Sequence, residues 1–186
     1  MLRRTLLVAA LLVGAGTSTL QAGQAGQCPG GVSSRFVVTG DVKKQQVFDL
    51  DQLTRNYVPA QENVTYFAAG SVVTESFTGV LLWDLLNLPP VGGIATDPNT
   101  KNDILHKVIV VTGSDCYQSV FGAGEISPSF GGSQIMVAYA TGGASLGTAG
   151  FARIVVPGDK AGGRFVSNIV EIEVKDPTDA IKMARH

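Results

Sequence analysis

Apolar residues run in short blocks along this chain, each closed by Gly, Pro or a polar cluster. Arg35-Phe36-Val37-Val38-Thr39-Gly40 predicts a strand stopped by glycine, and Gln46 to Leu50 predicts a second. The polar stretch Asp41-Val42-Lys43-Lys44 then makes a hairpin between them. Asp49 or Asp51 caps a short helix through Leu53 and Tyr57, which Pro59 stops. Asn63 to Ala68 is strand-like. Next, Thr78 is a natural N-cap, and Leu81, Leu82, Leu85 and Leu86 fall on one helical face before Pro89-Pro90. Residues 91–100 form a turn-rich loop. The continuous apolar run from His106 to Thr112 predicts a buried strand, and Gly124-Glu125-Ile126 a turn or short helix. Ile135 to Ala140, Phe151 to Val156 and Phe165 to Val174 are the last strands. About seven strands with two or three short helices predict a mixed, β-rich α+β fold. The sequence shows no repeat and no inner linker, so residues 35–176 read as one domain, between a loose tail at 26–34 and a charged tail at 177–186.

The first residues carry a different pattern. Met1-Leu2-Arg3-Arg4 precedes the apolar run Thr5 to Gly16, and small residues cluster around Ala22 and Ala25. This is the layout of a secretory signal peptide over residues 1–25, with cleavage after Ala22 or Ala25. The run falls short of the ~20 apolar residues that a spanning helix needs, and no later run is long enough. The expectation is a periplasmic or secreted bacterial protein with no integral span after cleavage. Arg3-Arg4 leaves twin-arginine export open beside the general route. Asn63-Val64-Thr65 matches a glycosylation pattern, but such short matches are common.

Charge narrows the choice of partner. The chain has 14 basic and 15 acidic residues, a net charge of −1, and loss of Arg3 and Arg4 with the leader makes it −3. No basic patch interleaved with aromatics is present, so nucleic acid is not an expected partner. The two cysteines, Cys28 and Cys116, are either a disulfide tying the tail to the middle of the fold or two separate thiols. An oxidising compartment favours the disulfide.

Several motifs bear on chemistry. Gly143-Ala144-Ser145-Leu146-Gly147 matches a nucleophile elbow, which needs a strand before it and a helix after it. Here the residues after Ser145 are Gly-rich and lead into another strand, and the only later histidine is His186. His106 and His186 are the only histidines and the cysteines lack ligand spacing, so no metal centre of side chains is expected. Asp115 and Glu125 could form a carboxylate pair, yet each fits a cap or a surface group as well. The most informative stretch is Ile154-Val155-Val156-Pro157-Gly158-Asp159-Lys160-Ala161-Gly162-Gly163-Arg164. Glycines at 158, 162 and 163 let backbone amides approach a ligand, and Arg164 adds a forked cation suited to phosphate or carboxylate. From local chemistry alone a plain strand-loop-strand connection with a solvated arginine is the preferred reading, because Gly and Pro mark turns more often than sites.

Three segments, Phe77 to Leu86, Asp115 to Phe121 and Arg153 to Arg164, together resemble the molybdopterin-binding domain of the sulfite oxidase family, in its small exported form. They occur in the family's order over residues 35–175. The resemblance implies a sulfite oxidase-like mixed α+β fold whose loops hold a pterin pyrophosphate. It implies Asp115, Ser119, Gly163 and Arg164 as pocket residues, joined by the amide of Gly158. Molybdopterin is the implied cofactor. The family's molybdenum-binding cysteine lies in a Cys-Ala-Gly context, and the matching stretch here is Phe67-Ala68-Ala69-Gly70. Ala68 has no donor atom. A family lysine is replaced by Ser167, and Cys116 stands away from the ligand position. The resulting expectation is a binder of a cofactor or small anionic ligand, linked to an oxidoreductase system and lacking thiolate-held molybdenum. The alternatives are an active molybdenum-dependent oxidoreductase with unusual ligation and a non-enzymatic scaffold.

Overall fold

The computed structural model of the chain describes residues 28–178, so the proposed leader and the last eight residues lie outside the described part. Ten strands and three short α-helices are described: β1 (Phe36–Gly40), β2 (Gln46–Phe48), α1 (Leu50–Asn56), β3 (Ala60–Ala68), β4 (Ser71–Leu81), α2 (Leu82–Asn87), β5 (Val108–Gly113), β6 (Gln118–Gly122), α3 (Ala123–Ile126), β7 (Met136–Thr141), β8 (Ala144–Ser145), β9 (Arg153–Val155) and β10 (Ile169–Lys175). Short 3-10 turns cover Asp103–His106, Gly147–Ala149 and Gly162–Arg164. This is the expected α+β class.

The strands form two five-stranded sheets. The first runs β2-β1-β10-β5-β6, with β1 parallel to β10 and the other pairs antiparallel. The second runs β3-β4-β7-β8, and β9 also pairs with β7. Residues of both sheets and of α2 join one continuous core, with Phe36, Phe48, Phe77, Phe121, Leu82, Leu85 and Leu86 all buried. Phe36 lies 5.4 Å from Phe48 and stacks 5.6 Å from Phe151.

Local chemistry set some boundaries as expected. The hairpin across Asp41–Lys44 joins antiparallel β1 and β2. Asp49 caps α1 by accepting from the Gln52 amide at 2.8 Å. The predicted helix at Thr78 is corrected. Thr78 lies in β4, paired with Gln61 of β3 and Ala140 of β7, and α2 begins only at Leu82. Strand pairing on both sides satisfies the backbone of this segment, which overrides its helical spacing. Gly79 permits the arrangement: a Cβ there would sit 2.3 Å from the Val137 carbonyl oxygen, beside an irregularity in the β4–β7 register. The leucine face survives in shorter form, because Leu82, Leu85 and Leu86 are buried and the Tyr57 hydroxyl donates to Leu85 O at 3.0 Å.

Other expectations shift more mildly. His106 ends a 3-10 turn rather than starting a strand, and β5 alternates between buried and half-buried residues. The final strand begins at Ile169, because Gly162–Arg164 turns first. Cys28 and Cys116 are joined in a disulfide with 5.3 Å between Cα atoms. The tail beside it is held by Gly30 N donating to Ser114 O at 2.8 Å and by the Ser114 hydroxyl donating to Gly31 O at 2.6 Å. No helix among the described residues is long and apolar enough to cross a membrane.

Candidate functional site

The loop from Pro157 to Arg164 leaves the second sheet after β9 and returns along its outer strand. The Phe67 amide donates to Lys160 O at 2.9 Å, and Phe67 bridges to Ala161, so this loop extends the edge of β3. Ala68 is therefore next to the glycine loop. From the other sheet, the Tyr117 hydroxyl donates to Gly163 O. Three separated pieces of sequence, around residues 67–68, 117 and 158–164, thus converge. Gly158 takes a positive φ of 92°, and a Cβ at Gly158 or Gly163 would meet nothing within 4 Å among the described residues. Gly162 is different: its Cβ would press on the Tyr66 ring at 3.2 Å.

Arg164 does not stand free in this loop. Its Nε and one terminal nitrogen donate to both carboxylate oxygens of Asp159 at 2.9 and 2.7 Å, and the other donates to Glu125 Oε1 at 3.1 Å. The guanidinium also lies 5.3 Å from the centre of the Phe121 ring. The Asp159 bonds, with Glu125 behind them, outweigh burial and hold Arg164 more firmly protonated than an ordinary arginine. The solvated arginine of the plain strand-loop-strand reading is corrected: Arg164 ties the loop to α3 through Asp159 and Glu125 and lies against the Phe121 ring of β6.

Arg153 is the cation that sequence reasoning passed over. It sits on β9 opposite Ala138 of β7, with its guanidinium 5.9 Å from the Phe77 ring centre and 5.6 Å from that of Phe165. Its Nε is buried and has no hydrogen-bond partner among the described residues. Nearby, Tyr66 of β3 donates its hydroxyl to Glu75 of β4 at 2.8 Å, and its ring meets Phe165 at 4.7 Å. Burial, then the Glu75 bond, pushes the Tyr66 hydroxyl pKa up, while the Arg153 guanidinium works the other way. Arg153, Tyr66 and Glu75 come from three strands, and of them the Tyr66 ring lies against the loop at Gly162. The signal in sequence is one charged residue interrupting the apolar run Phe151 to Val156.

The remaining expected site residues divide. Asp115 accepts from the Tyr117 amide at 3.0 Å and shapes the turn before β6, so it supports the group that reaches Gly163. Ser119 is buried on β6, on the same face as Phe121. Asp115 and Glu125 do not act as one pair, since Glu125 is bonded to Arg164. Ser145 is exposed on the two-residue β8 and is followed by a 3-10 turn, not the helix a nucleophile elbow requires. Asp103, His106 and Asp176 place ligand-type atoms within 4.8 Å of one another. Lys107 supplies the cation there, with its Nζ 2.9 Å from Asp41, 3.3 Å from Asp176 and 3.7 Å from Asp103. Burial works against the Lys107 charge, but hydrogen bonds to Asp41 and Asp176 outweigh it and raise its pKa.

The donor set decides how far a molybdenum cofactor fits. Ala68 offers no ligand, and both cysteines of the chain are bound to each other, so no thiolate is available to a metal at the loop. The residues do not fit a thiolate-held molybdenum. The open space beside the Gly158 and Gly163 backbone and the Arg153 Nε, which lacks a partner among the described residues, suit an anion.

No family model matches the chain, and no curated protein sequence matches it. Among solved structures, the chain is similar to the sulfane dehydrogenase SoxCD from Paracoccus pantotrophus, with a TM-score of 0.60 and 21% identity. The match covers 76% of this chain and 38% of that one, so this chain spans well under two thirds of that protein's length. The likeness shows a shared mixed α+β fold.

Proposed function

We propose that this protein is a small exported relative of sulfite oxidase-like domains that binds an anionic ligand, of pterin-phosphate type, without holding molybdenum through a thiolate. The observation that carries this reading is the buried Arg153 Nε, held between two aromatic rings beside the glycine loop and lacking a hydrogen-bond partner. A buried donor left unpaired costs free energy, and an incoming anion removes that cost. Amides of Gly158 and Gly163 share the ligand's charge. Asp115 acts through the Tyr117 that it positions, Ser119 backs the Phe121 side of β6, and Arg164 holds the loop in shape. The likeness to the sulfane dehydrogenase and the sequence resemblance support a place beside an oxidoreductase system. The disulfide supports an oxidising compartment, periplasmic or secreted.

Titration with inorganic phosphate and with a phosphorylated pterin tests this. Charge-assisted contacts are worth about 1.5–3 kcal/mol, so Arg153→Gln weakens binding roughly ten- to a hundredfold, and Arg153→Lys recovers part of the loss. Equal affinity in all three proteins sinks the anion reading and leaves the scaffold. Near-equimolar molybdenum in protein from its native host overturns the thiolate-free part.

A further inference from the structure

We infer that Cys28–Cys116 is an exchangeable disulfide, opened in the folded protein by a dithiol reductant, and that its state sets the order of the glycine loop. This deepens the proposed function, because it names a control on the same site and rests on that reading for its effect on ligand. Both half-cystines are exposed, and exposed disulfides are the labile and regulatory ones. Cys116 is held at a φ of +64°, a conformation that L-residues other than Asn and Asp seldom adopt. Its neighbour Tyr117 spans the gap to the loop: its amide is fixed by Asp115 and its hydroxyl donates to Gly163 O. The turn itself is tight, with Cys116 N donating to Gly113 O at 3.0 Å and Gly113 N to Tyr117 O at 2.9 Å.

The chain of contacts therefore runs from the disulfide through one residue to the carbonyl next to Arg164. On the far side, Cys28 secures a tail that otherwise rests on a few bonds. These are Gly30 N to Ser114 O, the Ser114 hydroxyl to Gly31 O, Ser33 N to Asn168 Oδ1 at 3.1 Å, and Phe151 N to Ser33 O at 3.2 Å. In the exchange, a thiolate of the reductant attacks one sulfur and a mixed disulfide forms. The second thiol of the reductant then resolves it. The S–S bond of the protein breaks, two thiols form, and the reductant supplies two electrons and two protons and ends as a disulfide. Cys116 is then free to leave its left-handed conformation. The β5–β6 turn relaxes, and Tyr117 loses its fixed reach to Gly163.

The ligand-independent measurement is amide hydrogen exchange of residues 158–164 in the oxidised protein, the protein reduced with dithiothreitol, and the double variant Cys28→Ser/Cys116→Ser. Thiol alkylation without denaturant reports the opening. Two alkylated thiols in a protein that keeps its cooperative urea transition are expected. Loop exchange should rise about fivefold, the effect of losing roughly one hydrogen bond. Tyr117→Phe in the oxidised protein should reproduce that rise. Phosphate affinity should fall by a similar factor on reduction. Thiols that appear only in denaturant, or loop exchange unchanged by reduction, overturn the switch. Absence of phosphate binding in every form sinks the anion reading instead, and loop exchange still decides the switch.

Discussion

Removing Arg164 separates a structural staple from a ligand contact. Arg164→Ala deletes three hydrogen bonds, two of them a parallel pair on Asp159, and the contact with the Phe121 ring. It leaves Asp159 and Glu125, 22% and 34% exposed, without their counter-charge. A fully exposed pair would contribute about 0–1 kcal/mol, and a bidentate, partly sheltered one contributes more. The Arg164 side chain is 38% exposed, so solvent screens part of the gain. The net cost is about 1–2 kcal/mol. With a slope near 2 kcal/mol per molar urea, the unfolding midpoint falls by about 0.5–1 M. Arg164→Lys recovers only part of this, because an ammonium cannot make the parallel pair. The difference should shrink in about 1 M NaCl, where screening acts over roughly 3 Å. Urea unfolding by circular dichroism, with Asp159→Asn to close a double-mutant cycle, gives the coupling between the two residues. An unchanged midpoint together with a tenfold loss of phosphate affinity would refute this reasoning and return Arg164 to the ligand.

Two further substitutions test the frame around the site. Gly79→Ala drives a methyl group to 2.3 Å from Val137 O and should cost about 2–3 kcal/mol, lowering the melting temperature by about 5–10 °C; an unchanged melting curve would mean that β4 does not pass this close to β7. Hydrogen bonds from the Thr178 hydroxyl and amide, and from Lys107, lower the Asp176 pKa from 3.8 to about 2 against the effect of burial. The unfolded carboxyl takes up its proton first as pH falls, so this stability is complete above about pH 4 and is lost towards pH 2. Asp176→Asn should flatten that part of the urea midpoint against pH, although the variant is less stable at pH 7; an acid limb of unchanged slope would count against Asp176 as its source.

The parts of this protein that sequence alone determined are those whose cause lies within a few residues. Asp49 caps α1 because its side chain reaches an amide three residues ahead. The hairpin at Asp41–Lys44 and the loop at residues 157–164 follow from turn chemistry. Apolar blocks closed by glycine and proline were enough for the α+β class, and the order of three short segments was enough to anticipate the fold that the sulfane dehydrogenase shares. Long-range pairing decided the rest. Helical spacing from Thr78 yielded to strand pairing, because β3 and β7 satisfy the β4 backbone on both sides. The role of Arg164 was hidden because Glu125 lies 39 residues away and meets it only when α3 closes on the loop. In the sequence Arg153 is one charge among apolar neighbours; the rings of Phe77 in β4 and Phe165 before β10, and an Nε without a partner among the described residues, come only with long-range packing. Burial and the absence of a partner are properties of a surrounding, and that surrounding exists only once the two sheets have closed over their common core.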